Sequence, residues 1–64
     1  MNNVRTYIKK LVKSGIEYTK AEMHDLVYRQ VKMDEVLLDE EMTEISLEIQ
    51  NRLDANWPFK PVIQ

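Results

Sequence analysis

The residue types that carry most enzyme chemistry are scarce in this chain. It has 64 residues, no cysteine and one histidine, His24. Thiol catalysis and Cys-based zinc sites are therefore excluded, and a serine triad would have to take its base from His24. Helical spacing places His24 beside Tyr28 at the edge of an apolar face. We expect a partly buried histidine whose polar tip stays at the edge of the core. A histidine that switches its protonation state is the alternative. We predict no catalytic residue and no enzyme.

Acidic residues are concentrated in the second half of the chain, but not in the pattern of a metal site. A calcium-binding EF-hand needs ligands at alternating positions around a central glycine, and that pattern is absent. Instead, three glutamates recur every four residues along one predicted helix: Glu40, Glu44 and Glu48. Three cations have the same spacing near the start of the chain: Arg5, Lys9 and Lys13. We expect these two stripes to pair within the molecule, and we predict no metal and no cofactor.

The charge is divided unevenly along the chain. Residues 1–33 have a net charge of +4 and residues 34–64 a net charge of −6. If the two stripes do not pair, the first helix presents a basic face that can contact phosphate groups, formed by Arg5, Lys9, Lys10 and Lys13. A small DNA-binding regulator is therefore one alternative. It is disfavoured because the helix that would have to enter the major groove is strongly acidic.

The first helix has a clear predicted end. Apolar residues recur at helical spacing over residues 4–14, and Gly15 follows. With Ser14 as the C-cap, a glycine in the left-handed conformation can close a Schellman motif in which Ile16 packs back on Leu11.

The second helix has the most specific start signal in the sequence. Thr19 and Glu22 have the spacing of a capping box, and Tyr18 and Met23 can form the accompanying hydrophobic staple. These signals predict a helix over residues 20–32. Its inner face is predicted to hold the apolar residues Met23, Leu26, Val27 and Val31, while Asp25 and Arg29 form an exposed ion pair.

The third predicted helix covers residues 39–54 and has a narrow apolar seam. The seam consists of Met42, Ile45, Ile49 and Leu53. We expect Asp39 to cap this helix and Val36, Leu37 and Leu38 to plug one end of the core.

A single helix over residues 20–54 is the alternative. The apolar residues keep nearly the same helical spacing across this whole segment, which contains neither glycine nor proline. Such a rod would be about 50 Å long and would need a second copy to cover it, which would make the protein a structural homo-oligomer. Three helices are favoured because helices of that length are uncommon in single domains.

The chain changes character at Trp57. Pro58 and Pro61 disfavour helix, so residues 57–64 are predicted to be an extended tail after a helical domain of residues 1–56. Four large apolar side chains stand on this tail: Trp57, Phe59, Val62 and Ile63. They can anchor a partner, although Trp57 is also suited to closing the bottom of the bundle. Leu47 projects away from the seam and is a further candidate contact.

Taken together, the sequence predicts an all-α fold, a small three-helix bundle with an extended C-terminal tail. Apolar residues make up 44% of the chain and charged residues 31%, as in globular proteins. No segment approaches the roughly 20 apolar residues of a membrane span, so we expect a soluble cytoplasmic protein. The preferred function is a non-catalytic protein-interaction module, an adaptor or inhibitor that docks on a larger protein. The short cysteine-free chain suggests an accessory protein of a bacterium or phage.

Overall fold

The computed structural model describes residues 3–59, which form three α-helices and no strand. Helix α1 spans Val4–Lys13, α2 spans Lys20–Asp34 and α3 spans Asp39–Asn56. The predicted all-α three-helix architecture is confirmed. The alternative rod is not formed, because the chain leaves the helical conformation over residues 35–38.

One apolar core joins the three helices. Its buried members recur at helical spacing, so each helix contributes one face; they are Val4, Ile8, Met23, Val27, Val31, Met42, Ile49 and Leu53. Helix α2 packs most extensively on α3, and α1 packs mainly on α2. Leu26 was predicted to lie on the inner face, but it is 40% exposed because it borders an open depression between α1 and α2.

The turn after α1 forms half of the predicted Schellman motif. Gly15 has a φ of +75°, and its amide donates to the Val12 carbonyl at 3.3 Å. The Ile16 amide, which would complete the motif, donates instead to the Ser14 hydroxyl at 3.3 Å. Ile16 is consequently 60% exposed, and the prediction that it packs on Leu11 is wrong.

The capping box at the start of α2 is confirmed. The Glu22 amide donates to Thr19 Oγ1 at 3.1 Å, and the Thr19 amide donates to Glu22 Oε1 at 2.9 Å. The hydrogen bond from the Thr19 amide lowers the pKa of the Glu22 carboxyl. Tyr18 packs against the core and Met23 is buried, as expected for the staple residues.

The end of α2 is tied to α1 by Asp34. The Tyr7 hydroxyl donates to this carboxylate, and Gln30 Nε2 lies 3.1 Å from each of its oxygens. The hydrogen bond between Tyr7 and Asp34 lowers the pKa of Asp34 and raises the pKa of Tyr7. Asp34, the last residue of α2, is therefore held by hydrogen bonds from both α1 and α2.

The start of α3 differs from the prediction by one residue. Leu38 occupies the N-cap position and Asp39 is the first helical residue. Since leucine has no side-chain acceptor, the cap is supplied from inside the helix: the Glu41 carboxylate accepts from the Leu38 amide at 3.0 Å. This is the glutamate half of a capping box.

The predicted pairing of the basic and acidic stripes is wrong. Within residues 3–59, no ion pair joins the cations of α1 to Glu40, Glu44 or Glu48, because α1 packs mainly on α2. The ion pairs that form in this range are Lys20 with Asp54, Arg29 with Asp25 and Arg52 with Glu48. The predicted pair of Asp25 and Arg29 is therefore present.

We expect Thr19→Ala to lower the free energy of unfolding by about 1 kcal/mol, because it leaves the Glu22 amide without its side-chain acceptor. Urea unfolding followed by circular dichroism measures this loss. Thr6→Ala, at an exposed position in the first turn of α1, is the matched control and should change stability much less. Equal losses in the two variants would show that the capping box does not stabilise α2.

We also expect stability to fall at both ends of the pH range. The pKa of the Glu22, Asp34 and Asp54 carboxyls is lowered by folding, the last by a hydrogen bond from Lys20. Their contribution is present above the unfolded pKa of about 4 and is lost as the pH falls through the folded values. The raised pKa of Tyr7 has the opposite sign. Its contribution is present below a pH of about 10 and is lost as the pH rises through the folded pKa.

Urea titrations over a pH series measure this dependence. Tyr7→Phe should weaken the loss at both ends, because it removes the hydrogen bond to Asp34. Tyr28→Phe removes a hydroxyl that makes no hydrogen bond within the described range, and it should preserve both losses. An unchanged pH profile in Tyr7→Phe would contradict this assignment.

Candidate protein-binding surface

Three of the most exposed apolar side chains lie close together in the sequence. Met33 is 81% exposed, Val36 is fully exposed and Leu38 is 71% exposed. We call these residues the turn patch, because they flank and occupy the connection between α2 and α3. Single exposed apolar residues are ordinary, whereas clusters of them are typical of interaction sites.

The backbone of the connection explains why Val36 and Leu38 face solvent. Residues 35–38 are non-helical, and both Glu35 (φ −131°, ψ 140°) and Leu38 (φ −70°, ψ 158°) have extended dihedral angles. Successive side chains of extended backbone point to opposite sides. Leu37 packs against the core, while Val36 and Leu38 point outward. Of the three residues predicted to plug the core, only Leu37 does so.

Negative charge surrounds the turn patch. The eight residues from Asp34 to Glu41 include five carboxylates and no cation. Asp34 and Glu41 are engaged in the hydrogen bonds described above. The other three carboxylates, Glu35, Asp39 and Glu40, make no hydrogen bond or ion pair within residues 3–59. The surroundings of the patch are therefore acidic and partly unneutralised.

A surface groove runs between α2 and α3 from the turn patch. It consists of two adjoining depressions, of about 430 and 250 Å³, which share Tyr28 and Met42. The first is also lined by His24, Asp25, Thr43, Ser46 and Leu47, and the second by Lys32, Glu35, Val36, Leu37 and Asp39. No residue of α1 lines either depression, so this α2–α3 groove lies away from the first helix.

His24 links the two helices that form the groove. Its Nε2 atom lies 3.0 Å from Ser46 Oγ and 3.2 Å from the Ser46 carbonyl oxygen. Its ring stacks on Tyr28, with the centroids 6.2 Å apart and the planes 13° from parallel. The imidazole is half-buried, as predicted for a histidine at the rim of the core. Within the described residues, no carboxylate hydrogen-bonds the imidazole as a triad would require.

The three predicted partner-binding residues that the structure describes do not lie in one site: Leu47 is separate from Trp57 and Phe59. Trp57 and Phe59 are half-buried against the core, and their rings make an edge-to-face contact at 5.8 Å. They line a separate depression of about 300 Å³ beside the α1–α2 turn. Leu47 is 60% exposed and belongs to the α2–α3 groove. The remaining two candidates, Val62 and Ile63, lie outside the described residues.

The four cations of the predicted basic contact face lie on α1 and are exposed: Arg5, Lys9, Lys10 and Lys13. None of them forms an ion pair with another described residue. The Lys10 ammonium lies 6.0 Å from the centroid of the Tyr7 ring, at the outer limit of a cation–π contact.

Sequence reasoning did not identify the turn patch as exposed. It assigned Val36 and Leu38 to the core together with Leu37, and it made no prediction for Met33. The signal that was available is the predicted break in the helix. In an extended connection, successive side chains point to opposite sides. Only one of the neighbours Val36 and Leu37 can then face the core.

Residues 3–59 were also compared with the requirements of a metal site and of a membrane span. In this range no group of three or more His, Asp or Glu side chains is arranged to hold a metal ion. No helix of the described range is both long enough and apolar enough to cross a membrane. Comparisons with protein-family models, curated proteins and solved structures found no match.

Proposed function

We propose that this protein is a non-catalytic interaction module that docks on a larger protein through the turn patch. The observation that carries the proposal is the exposure of Met33, Val36 and Leu38 within six consecutive residues. A domain this small needs its large apolar side chains for its own core. Three of them facing water at one end of the bundle therefore support a role outside the core.

The size of the patch is sufficient for an anchor. Burying a Val, Leu or Met side chain completely contributes about 1.5–3 kcal/mol. A few such residues commonly supply most of the binding energy of a protein interface. Methionine also adapts its shape to a partner, which suits Met33 to the edge of the contact.

The patch is held in place before binding, which lowers the entropic cost of association. On one side of the connection, Asp34 is fixed by Tyr7 and Gln30. On the other side, the Leu38 amide is held by the Glu41 carboxylate. Only the side chains of the patch then have to be immobilised by the partner.

The two alternative functions have weaker support. A homo-oligomer built on residues 20–54 requires one continuous helix over this range. The structure has two helices there, α2 and α3. A DNA-binding regulator would use the exposed cations of α1, but α3 is acidic and cannot readily approach phosphate groups. We therefore prefer a protein partner to nucleic acid.

Site-specific photo-cross-linking in the source cell tests the proposal. A photoreactive phenylalanine analogue at Val36 of the full-length chain should give a discrete adduct with a larger protein. The same analogue at Ile16, which is also exposed but lies at the other end of α2, is the matched control and should not. The absence of an adduct at Val36, or identical adducts at both positions, would contradict the proposal.

A second variant checks that the cross-link reflects apolar docking. Met33→Ser combined with Leu38→Ser should remove most of the adduct formed at Val36, because it removes the other two anchors. The helical circular dichroism signal should be retained, since both side chains are largely exposed. An undiminished adduct would show that the turn patch is not the contact.

A further inference from the structure

The α2–α3 groove has the length of a short helical contact. Its α3 wall extends from Asp39 to Leu47, nine residues that span about 12 Å at 1.5 Å per residue. A helix that presents apolar side chains at positions i, i+4 and i+7 covers about 10.5 Å. Three anchor residues of one such helix therefore match the groove from end to end.

Apolar groups are distributed along the whole groove. Val36 stands fully exposed at one end, and Leu47, 60% exposed, stands at the other. Tyr28 and Met42 line both depressions and connect the two ends. The groove therefore offers an exposed apolar contact point near each end and the half-buried Tyr28 ring between them, with polar and charged side chains on its walls.

The groove is also held open by its own structure. The polar contact between His24 Nε2 and Ser46 joins α2 to α3 along one depression, and Tyr28 stacks on the same imidazole. Because these contacts fix the spacing of the two helices, a ligand does not have to separate them. A preformed groove binds at a lower entropic cost.

The charges along the groove favour a basic occupant. Glu35 and Asp39 line it and have no partner within residues 3–59, and Asp25 lines the opposite end beside its ion pair with Arg29. Lys32 is the one lysine or arginine among the lining residues of that range. Opposite charges at the edge of an interface favour association and set orientation.

We propose that the α2–α3 groove binds an amphipathic helix with an apolar inner face and lysine or arginine residues along its edges. The proposal rests on the proposed function and specifies its partner: the bound helix would pack beside α2 and α3 as a fourth helix of the bundle. The turn patch would then border one end of this contact.

The experiment is an NMR titration of the ¹⁵N-labelled full-length chain with a synthetic peptide of leucine and lysine. The peptide has about 15 residues, long enough to form a helix, with leucine at i, i+4 and i+7 and lysine on both edges. The largest amide shifts should fall on Tyr28, Thr43, Ser46 and Leu47. Binding should weaken as salt is added. A peptide with glutamate in place of lysine should not bind.

Three variants that introduce a charge distinguish binding in the groove from binding elsewhere on the surface. Leu47→Glu should weaken binding of the leucine–lysine peptide about tenfold or more, because a carboxylate would be buried at an apolar contact point. Ile16→Glu introduces the same charge at an equally exposed apolar residue outside the groove, and it should leave the affinity unchanged. Val36→Glu tests the other end and should resemble Leu47→Glu.

Several results would contradict the proposal that the α2–α3 groove binds a helix. These are the absence of binding, shifts located mainly outside the groove, equal affinities for Leu47→Glu and Ile16→Glu, and equal binding of the glutamate peptide. Sedimentation as a dimer that Leu47→Glu dissociates would also overturn it, because a second copy would then fill the groove. A cross-link at Val36 without peptide binding in the groove would reject this inference and leave the protein-interaction proposal standing.

Discussion

The structure depends on one constraint, the reversal of the chain between α2 and α3 in four residues that include neither glycine nor proline. No residue of this connection has a positive φ, and Glu35 and Leu38, at its two ends, have extended dihedral angles. Successive side chains of extended backbone point to opposite sides, which agrees with the inward position of Leu37 and the outward positions of Val36 and Leu38. The exposure of Val36 and Leu38 is therefore tied to how the chain connects α2 to α3.

Polar contacts hold the chain on both sides of this reversal. Tyr7 and Gln30 hold the last residue of α2, and Glu41 holds the residue before α3. The charged surfaces of α1 and α3, by contrast, do not neutralise each other within the described residues. The basic face of α1 and the α2–α3 groove are separate surfaces, because no residue of α1 lines the groove. The carboxylates that line the groove are the reason for proposing a basic partner.

Local signals in the sequence predicted the helices better than they predicted the surface. The capping box at Thr19 and the break at Gly15 depend on a few neighbouring residues, and both appear at the predicted positions. The assignment of Val36 and Leu38 to the core was wrong, because burial depends on which side of an extended segment faces the bundle. The pairing of the charged stripes was wrong for a similar reason: it depends on how the helices are arranged around the core, which spacing along each helix does not specify.

The most direct test of this account is the solvent accessibility of three adjacent side chains, Val36, Leu37 and Leu38. Methyl NMR signals of the full-length protein can be recorded with a soluble paramagnetic agent, which broadens groups that contact solvent. The account predicts strong broadening of the Val36 and Leu38 methyl groups and much weaker broadening of the Leu37 methyl groups. Equal broadening of all three residues would contradict the alternating connection, and with it the basis for the proposed docking surface.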